Sequence, residues 1–266
     1  MTPPRTALVT GASSGIGAAT AAALVARGFR VIGTSRKPES MADSARVAGV
    51  EYRALDLTDP AATDAFADDL GEIDVLINNA GESQAGPVEE LPIDAIERLF
   101  QVNVFGPVRL AQAVLPGMRA RGRGHIIMVG SMLASFPLAY RSSYVATKAA
   151  TKGFADAMRR EVSPFGIAVT TVEPGSINTG ISTRRTTYIG ADSPYRTEFD
   201  TVIAGLERNE AKGISAEQVA DTIVKVIESP KPFRAVGSGA PLVFALRRLL
   251  PSSVMARLVA AMHGLK

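Results

Sequence analysis

The sequence has no cysteine. That absence excludes a disulfide framework, a thiol nucleophile and a thiolate metal site together. Histidine is nearly absent too: His125 and His263 are far apart in the chain, which argues against a histidine-based metal site or a serine–histidine triad, so no metal is expected. Neither sign of charge dominates. There are 29 Lys and Arg against 26 Asp and Glu, a net charge of +3, and without a long basic run no nucleic-acid partner is expected. Long uncharged runs are also scarce. The exception is Ala7 to Ala26, which follows Arg5 and superficially resembles a signal peptide or membrane span. It contains Thr10, Ser13, Ser14 and Thr20 and three central glycines, and reads better as a buried strand, a glycine turn and an alanine-rich helix. A soluble cytoplasmic protein is expected.

What is present is an alternation. Short runs rich in Val, Ile and Leu occur at Ala7–Thr10, Arg30–Thr34, Glu51–Ala54, Val75–Asn78, His125–Val129, Ala168–Val172 and Arg234–Val236. They have the composition of strands buried on both faces. Helical patterns separate them near 15–27, 60–70, 92–119, 142–163 and 215–229. The alternation predicts an α/β fold: a doubly wound parallel sheet with helices on both faces. The 266 residues, 46% hydrophobic, suffice for one core, so residues 1–266 are expected to form one domain. Residues 176–213 are polar, show no clear strand and read as an irregular substrate lid. Residues 240–266 form an apolar and basic tail.

"LVTGASSGIGAAT" links the first strand to the first helix. Gly11 permits a tight turn, Gly15 lets backbone approach a ligand, and Gly17 lets helix pack near strand. Backbone N–H groups of Ser13, Ser14, Gly15 and Ile16 at the helix start would face an anionic pyrophosphate. The order G-x-x-x-G-x-G differs from the usual dinucleotide fingerprint. Sheets of this type bind ligands beyond the carboxyl ends of their strands. There the sequence places Ser35 to Lys37, Leu55 to Leu57, Asn78 to Gly81, Gly130 to Met132 and Glu173 to Thr179.

"SSYVATKAATKGF" sets Tyr144 and Lys148 four residues apart, on one helix face. A free phenol ionises near pH 10, too high for ready proton exchange at neutral pH. A neighbouring ammonium favours the phenolate, so such a couple can work as general acid and base. Ser131, just past the fifth strand, can hold a substrate oxygen, although for a serine taken alone a loop or capping role is the better reading. Asn103 interrupts an apolar helix and is a weak helix former. It is expected either to anchor a water leading to Lys148 or to be a satisfied core amide.

The ordered set Thr10-Gly11-x-x-x-Gly15-Ile16-Gly17, Asn78-Asn79-Ala80-Gly81, Asn103, Ser131, Tyr144-x-x-x-Lys148 and Pro174-Gly175 resembles the short-chain dehydrogenases/reductases over about residues 5–240. The resemblance implies a seven-stranded Rossmann sheet, a nicotinamide cofactor and a catalytic tetrad of Asn103, Ser131, Tyr144 and Lys148. It also implies that Asp56 and Leu57 border the adenine, and that Asn79, Ala80 and Gly81 lie along the cofactor. Pro174, Gly175, Ile177 and Thr179 would lie near the nicotinamide, with Tyr144 and Lys148 touching the same cofactor. A homodimer or homotetramer is implied as well.

Cofactor choice is readable at the end of strand two. NAD-selective sites place Asp or Glu about twenty residues beyond the glycines. Here Thr34-Ser35-Arg36-Lys37 offers no carboxylate, and Ser35, Arg36 and Lys37 suit the 2′-phosphate of NADP(H). Ser131, Met132, Leu133, Phe136 and Tyr144 are the substrate-side candidates; the apolar ones, with Pro137 and Leu138, suggest an apolar pocket or in part simply pack beneath the loop. Arg184 and Arg185 could meet an anion or simply be solvated. In the tail, Leu242, Leu246, Leu249 and Leu250 and then Val254, Leu258, Val259 and Met262 recur at helical spacing, split by Pro251. The tail could pack on protein, cover the cleft or lie on a membrane surface. It resembles that of the 17β-hydroxysteroid and retinol dehydrogenase branch, which favours a lipophilic small-molecule alcohol or ketone. Three readings stand: an NADP(H)-dependent carbonyl reductase or secondary-alcohol dehydrogenase, the same chemistry on a 3-oxoacyl thioester or polyol, and a non-enzymatic dinucleotide sensor.

Overall fold

A computed structural model describes residues 4–178, 180, 184–237 and 239–265. Seven parallel strands form one sheet in the order β3-β2-β1-β4-β6-β7-β9. They are β1 (Thr6–Val9), β2 (Arg30–Ser35), β3 (Val50–Ala54), β4 (Val75–Asn78), β6 (Gly124–Val129), β7 (Ile167–Pro174) and β9 (Phe233–Val236). The sheet is the expected doubly wound one, and each expected strand lies within two residues of its bounds. A separate two-stranded ribbon pairs β5 (Gln84–Ala85) with β8 (Thr186–Thr187).

Side-chain alternation fills both faces of the sheet. Leu8, Ile32, Leu76, Ile126, Met128 and Val169 point to one side, where they meet α2 (Pro60–Asp68), α4 (Gly106–Arg121) and α5 (Ser142–Val162) through Phe66, Leu110, Val114 and Ala155. Ala7, Val9, Val31, Ile77, Ile127 and Val172 point to the other, under α1 (Gly15–Val25) and α7 (Ala216–Glu228), which supply Ala21, Leu24, Val219 and Ile223. Burial on both faces explains the near-continuous apolar strands. Local signals start the helices. Asp59 accepts from the backbone N–H groups of Ala61 and Ala62 ahead of α2, and Ser215 and Gln218 form a capping box on α7.

Three segments differ from the sequence expectation. The helix expected over 92–119 is α3 (Ile93–Phe100) and α4, joined by a wider π turn at Gln101–Phe105. The turn contains Asn103, and single π turns inside helices recur at functional sites. The supposed irregular lid contains the sixteen-residue helix α6 (Arg196–Ala211) as well as β8. Phe199, Val202 and Leu206 are its buried stripe, a helical spacing obscured by the polar residues around it. The tail forms α8 (Ala240–Leu249) and α9 (Ser252–Met262), divided at Pro251. No helix among the described residues is long and apolar enough to cross a membrane.

The tail packs on protein. Met255 and Val259 join Phe136, Leu138, Val202 and Leu206 in a third apolar cluster, with Val243 and Phe244 against it. Phe244 stacks edge-on against Phe136 and Phe233, with both centroid distances 4.9 Å. The aromatic group adjoins an ion pair whose carboxylate is buried and whose ammonium is partly exposed. Lys152 Nζ lies 2.8 Å from Glu173 Oε1 and 5.0 Å from the Phe233 ring centroid. Ser135 Oγ donates to Glu173 Oε2 at 3.0 Å. Burial pushes the Glu173 carboxyl above its ordinary range, against the opposing pull of Lys152 and Ser135. The pair ties α5, β7 and the loop after β6 together.

Two stability predictions follow from these buried groups. Burial lowers the pKa of His125 from 6.5 to about 4, and its Nε2 lies 2.8 Å from Thr170 Oγ1. The unfolded chain therefore takes up a proton between pH 6.5 and 4 while the native imidazole stays neutral. Stability present above that window is lost as pH falls through it, by about 1.4 kcal/mol per pH unit and about 3 kcal/mol in all. Denaturation midpoints of His125→Asn and wild type, followed from pH 7 to 4, should converge by that order. Lys152→Met should cost about 3 kcal/mol at neutral pH because it strands Glu173. Lys152→Met with Glu173→Gln should recover much of the loss in urea titrations.

Candidate active site

The strand order reverses direction between β1 and β4, where connections leave the sheet to opposite sides. Beyond those strand ends lies a cleft of about 1290 Å³. Its first wall is the glycine turn. Gly11 and Gly15 have φ of 68° and 53°, in the left-handed region. Gly17 faces the turn from within α1, and a Cβ there would fall on the Gly11 carbonyl oxygen. The turn is held from below. Thr10 Oγ1 accepts from the backbone N–H of Asn79 and Ala80, both at 3.0 Å, and Asn79 Nδ2 donates to Thr10 O at 2.9 Å. Thr34 Oγ1 accepts from Gly11 N at 3.2 Å. Ser13, Ser14, Gly15 and Ile16 open onto the cleft, whereas Gly17 serves the packing of helix on turn.

The second wall is charged. Ser35, Arg36 and Lys37 line it at the end of β2, with Asp56, Leu57, Asn79, Ala80 and Gly81 beside them. Arg98 and Glu82, which the sequence pattern did not single out, complete it. Arg98 donates to both Glu82 carboxylate oxygens, at 3.2 and 2.7 Å, and Arg36 Nη1 is 3.9 Å from the same group. Burial opposes ionisation of Asp56, but Thr58 hydrogen bonds and the Arg36 and Arg98 charges outweigh it and hold the carboxyl below its ordinary value. Glycine turn, open backbone and charged rim together fit an extended dinucleotide.

Tyr144 and Lys148 meet this cleft from α5, and both are buried. Lys148 Nζ donates to Val129 O at 3.0 Å and lies 5.8 Å from the Tyr144 ring centroid. Ser131 lines the same region and caps a short turn, accepting from Leu133 N at 3.2 Å. Its capping bond uses an oxygen lone pair and leaves the hydroxyl proton available. Asn103 is outside the cleft lining. Its Oδ1 accepts from Glu82 N at 2.9 Å, while Nδ2 donates to Glu82 O and Thr147 Oγ1 at 3.0 and 3.1 Å. The amide is thus satisfied by protein. Its main-chain oxygen, in the π turn, accepts from Thr151 Oγ1 at 3.0 Å.

Met132, Leu133 and Phe136 line the far end with Leu206, Val243, Val259 and Met262, so α6 and the tail help to enclose it. Leu138 packs in the third apolar cluster instead. Pro174, Gly175 and Ile177 reach the cleft, whereas Thr179 lies outside the described residues. Arg184 Nη1 donates to Ser14 Oγ at 3.0 Å across the opening. Arg185 is not a solvated loop residue. Its side chain is 2% exposed and pairs with Glu210 at 2.8 and 2.9 Å.

Residues 5–188 match the short chain dehydrogenase family (adh_short). The chain is 34% identical to a 3-ketodihydrosphingosine reductase from Bacteroides thetaiotaomicron, with 95% of each protein covered. A solved short-chain dehydrogenase from Streptomyces avermitilis is 36% identical and superposes with a TM-score of 0.82, covering 97% of this chain and 95% of that one. A short chain dehydrogenase from Burkholderia cenocepacia, solved in complex with NADP, is 28% identical with a TM-score of 0.77, covering 96% and 98%. Fold, site layout and these matches agree: the chain belongs to the short-chain dehydrogenase family of oxidoreductases.

Proposed function

We propose that this protein interconverts a carbonyl and a secondary alcohol on a lipophilic small molecule, with NADP(H) as cofactor. The observation that carries the reading is the meeting, in one cleft, of the glycine turn, the Ser35, Arg36 and Lys37 rim after β2, and the buried Tyr144–Lys148 couple. A nicotinamide dinucleotide bound there would give or accept the hydride. Tyr144 exchanges the proton: its phenol donates to the carbonyl oxygen during reduction, and its phenolate takes the hydroxyl proton during oxidation. Lys148, anchored on Val129 O, presents positive charge to that oxygen. Ser131 Oγ holds the substrate oxygen as charge develops on it. We assign Asn103 a positioning role, tying the Gly81–Glu82 segment to α5 through Thr147 and Thr151.

Apolar side chains from the β6 loop, α6 and the tail support a lipophilic substrate, as does the relative named for reducing 3-ketodihydrosphingosine. The preference for NADP(H) is supported by the missing carboxylate after β2 and by the NADP complex of the Burkholderia neighbour. Glu82 does not oppose it, since Arg98 already answers that carboxylate. Phe105 and Phe154 leave apolar surface at the π turn and on α5, which supports self-association.

Turnover of NADPH with a panel of aliphatic ketones, aldehydes and 3-oxoacyl thioesters tests the reading. Bulky ketones should be turned over best. Tyr144→Phe should lose about 10² to 10⁴ in kcat while its dissociation constant for NADPH is unchanged, and near-normal turnover would sink the mechanism. Wild type should favour NADPH over NADH in kcat/KM by roughly ten- to a hundredfold, from about 1.5–3 kcal/mol of charge-assisted hydrogen bonding. Ser35→Asp with Arg36→Ile should reverse the preference, and equal values in wild type would refute the assignment.

A further inference from the structure

Arg141 stands just ahead of α5, three residues before Tyr144. Its side chain is buried, with the residue only 3% exposed, and lies over the Tyr144 ring with Cζ 4.6 Å from the centroid. One Nη donates to Ser83 Oγ at 2.9 Å. Nε is buried and has no hydrogen-bond acceptor among the described residues. Nor does Arg141 form an ion pair among them: the nearby Glu210 is held by Arg185, whose Nη2 donates to both of its carboxylate oxygens. Lys148 is equally without a carboxylate partner there, its Nζ resting on a main-chain oxygen. Two buried cations thus face one phenol, and among the described residues neither has a carboxylate within ion-pair distance, Glu210 acting on Arg141 only from farther off.

The backbone ahead of Arg141 is committed to this arrangement. Tyr140 has φ of 63°, a left-handed conformation rare for a residue with a bulky side chain. It is held there by Gly86 N, which donates to Tyr140 O at 2.9 Å, and by edge contacts with Phe199 and Tyr195 at centroid distances of 5.7 and 6.5 Å. That turn directs the next side chain inward, onto the ring.

We infer that Arg141 is a second cation acting on Tyr144, which together with Lys148 stabilises negative charge on the phenol oxygen. The inference rests on the reading of Tyr144 as the proton-exchanging group. A neutral ring attracts a guanidinium only through its quadrupole. A phenolate adds a full charge, and the attraction between buried charges is weakly screened. The remaining charges nearby leave this balance standing. Arg185 and Glu210, from beside β8 and from α6, offset each other, and Glu82 is matched by Arg98. Burial pulls the Arg141 guanidinium down to about 10, so it is still cationic at neutral pH. Arg141 is on this account a positioning residue that acts through Tyr144.

Tyrosinate absorbance of the full chain reads this directly, because the sequence has five tyrosines and no tryptophan. Subtracting the pH titration of Tyr144→Phe isolates the one phenol. Two of the others titrate above the ordinary range: Tyr140 through burial and Glu198, Tyr195 through its bond to Glu89. Arg141→Met should move the isolated midpoint up by about one pH unit, a tenfold fall in the phenolate-to-phenol ratio at fixed pH. Arg141→Lys should restore most of that shift, and Ser83→Ala, which frees the guanidinium, should give a smaller shift in the same direction. The acid limb of kcat/KM for alcohol oxidation should move with the spectroscopic midpoint. If Arg141→Met does not fold, Arg141→Gln and Ser83→Ala carry the comparison, and midpoints equal to wild type in both overturn the inference. An unmoved midpoint in a folded Arg141→Met does the same. A defect confined to KM for a carboxylate-bearing ketone would also overturn it, making Arg141 an anion-binding group. An active Tyr144→Phe would overturn the proposed function itself, whereas an inactive one beside an unmoved midpoint removes only the role of Arg141.

Discussion

Parallel pairing without slippage between β1, β4, β6 and β7 is the constraint on which the rest of the structure depends. Val9 pairs with Ile77, Ile77 with Ile127, and Ile127 with Thr170. All four strands therefore end at one edge of the sheet. The residues that follow them, from Gly11, Asn79, Gly130 and Gly175 onward, arrive in one place. A slip of one residue in any strand would turn its side chains to the opposite face and expose half of a doubly buried strand. The two apolar layers thus enforce the alignment, and the polar cleft results from it. Both layers decide where the candidate reacting groups stand, and Val129 of one of them holds Lys148 directly through its carbonyl oxygen.

Beyond the strand ends, apolar packing gives way to hydrogen bonds from buried threonines and asparagines. Thr10 and Thr34 satisfy backbone donors of the Asn79 loop and the glycine turn. Asn103 closes the other side, bonding both polar groups of Glu82 and reaching Thr147 on α5. A buried amide or hydroxyl without partners would be costly, so these bonds fix loops that carry no apolar anchor of their own. The π turn belongs to the same logic. It turns the Asn103 carbonyl toward Thr151 and leaves Asn103 facing the loop after β4.

Charge is distributed unevenly around this frame. Lys152 and Glu173 neutralise each other beneath the aromatic group that receives the tail. Arg185 and Glu210 do so between β8 and α6. Arg98 and Glu82 do so at the cleft rim. Lys148 and Arg141 are the exceptions among the described buried cations, and both face Tyr144. A protein that tolerates two desolvated cations beside a phenol has a reason to favour negative charge on it.

Much of this was legible in the sequence because it is local. Strands buried on both faces require unbroken apolar runs. The glycine turn requires residues without Cβ at Gly11 and Gly17, and a shared helix face requires the spacing of Tyr144 and Lys148. The helix α6 was harder to see, because its stripe of Phe199, Val202 and Leu206 is narrow and set among polar residues. Other features have no local signature. Arg141 reads as a surface arginine until the left-handed Tyr140 turns it onto the ring. Lys152 and Glu173 are twenty-one residues apart and meet only when α5 packs on β7. Arg98 stays on the exposed side of its helix, and nothing local shows that Glu82 is brought opposite it. The sequence by itself determined the periodicities, the turns and the spacing of groups along each element, since those depend on backbone geometry within a few residues. Only the tertiary structure decided which charges are paired and which are left to act, because that depends on distances between elements that no local pattern encodes.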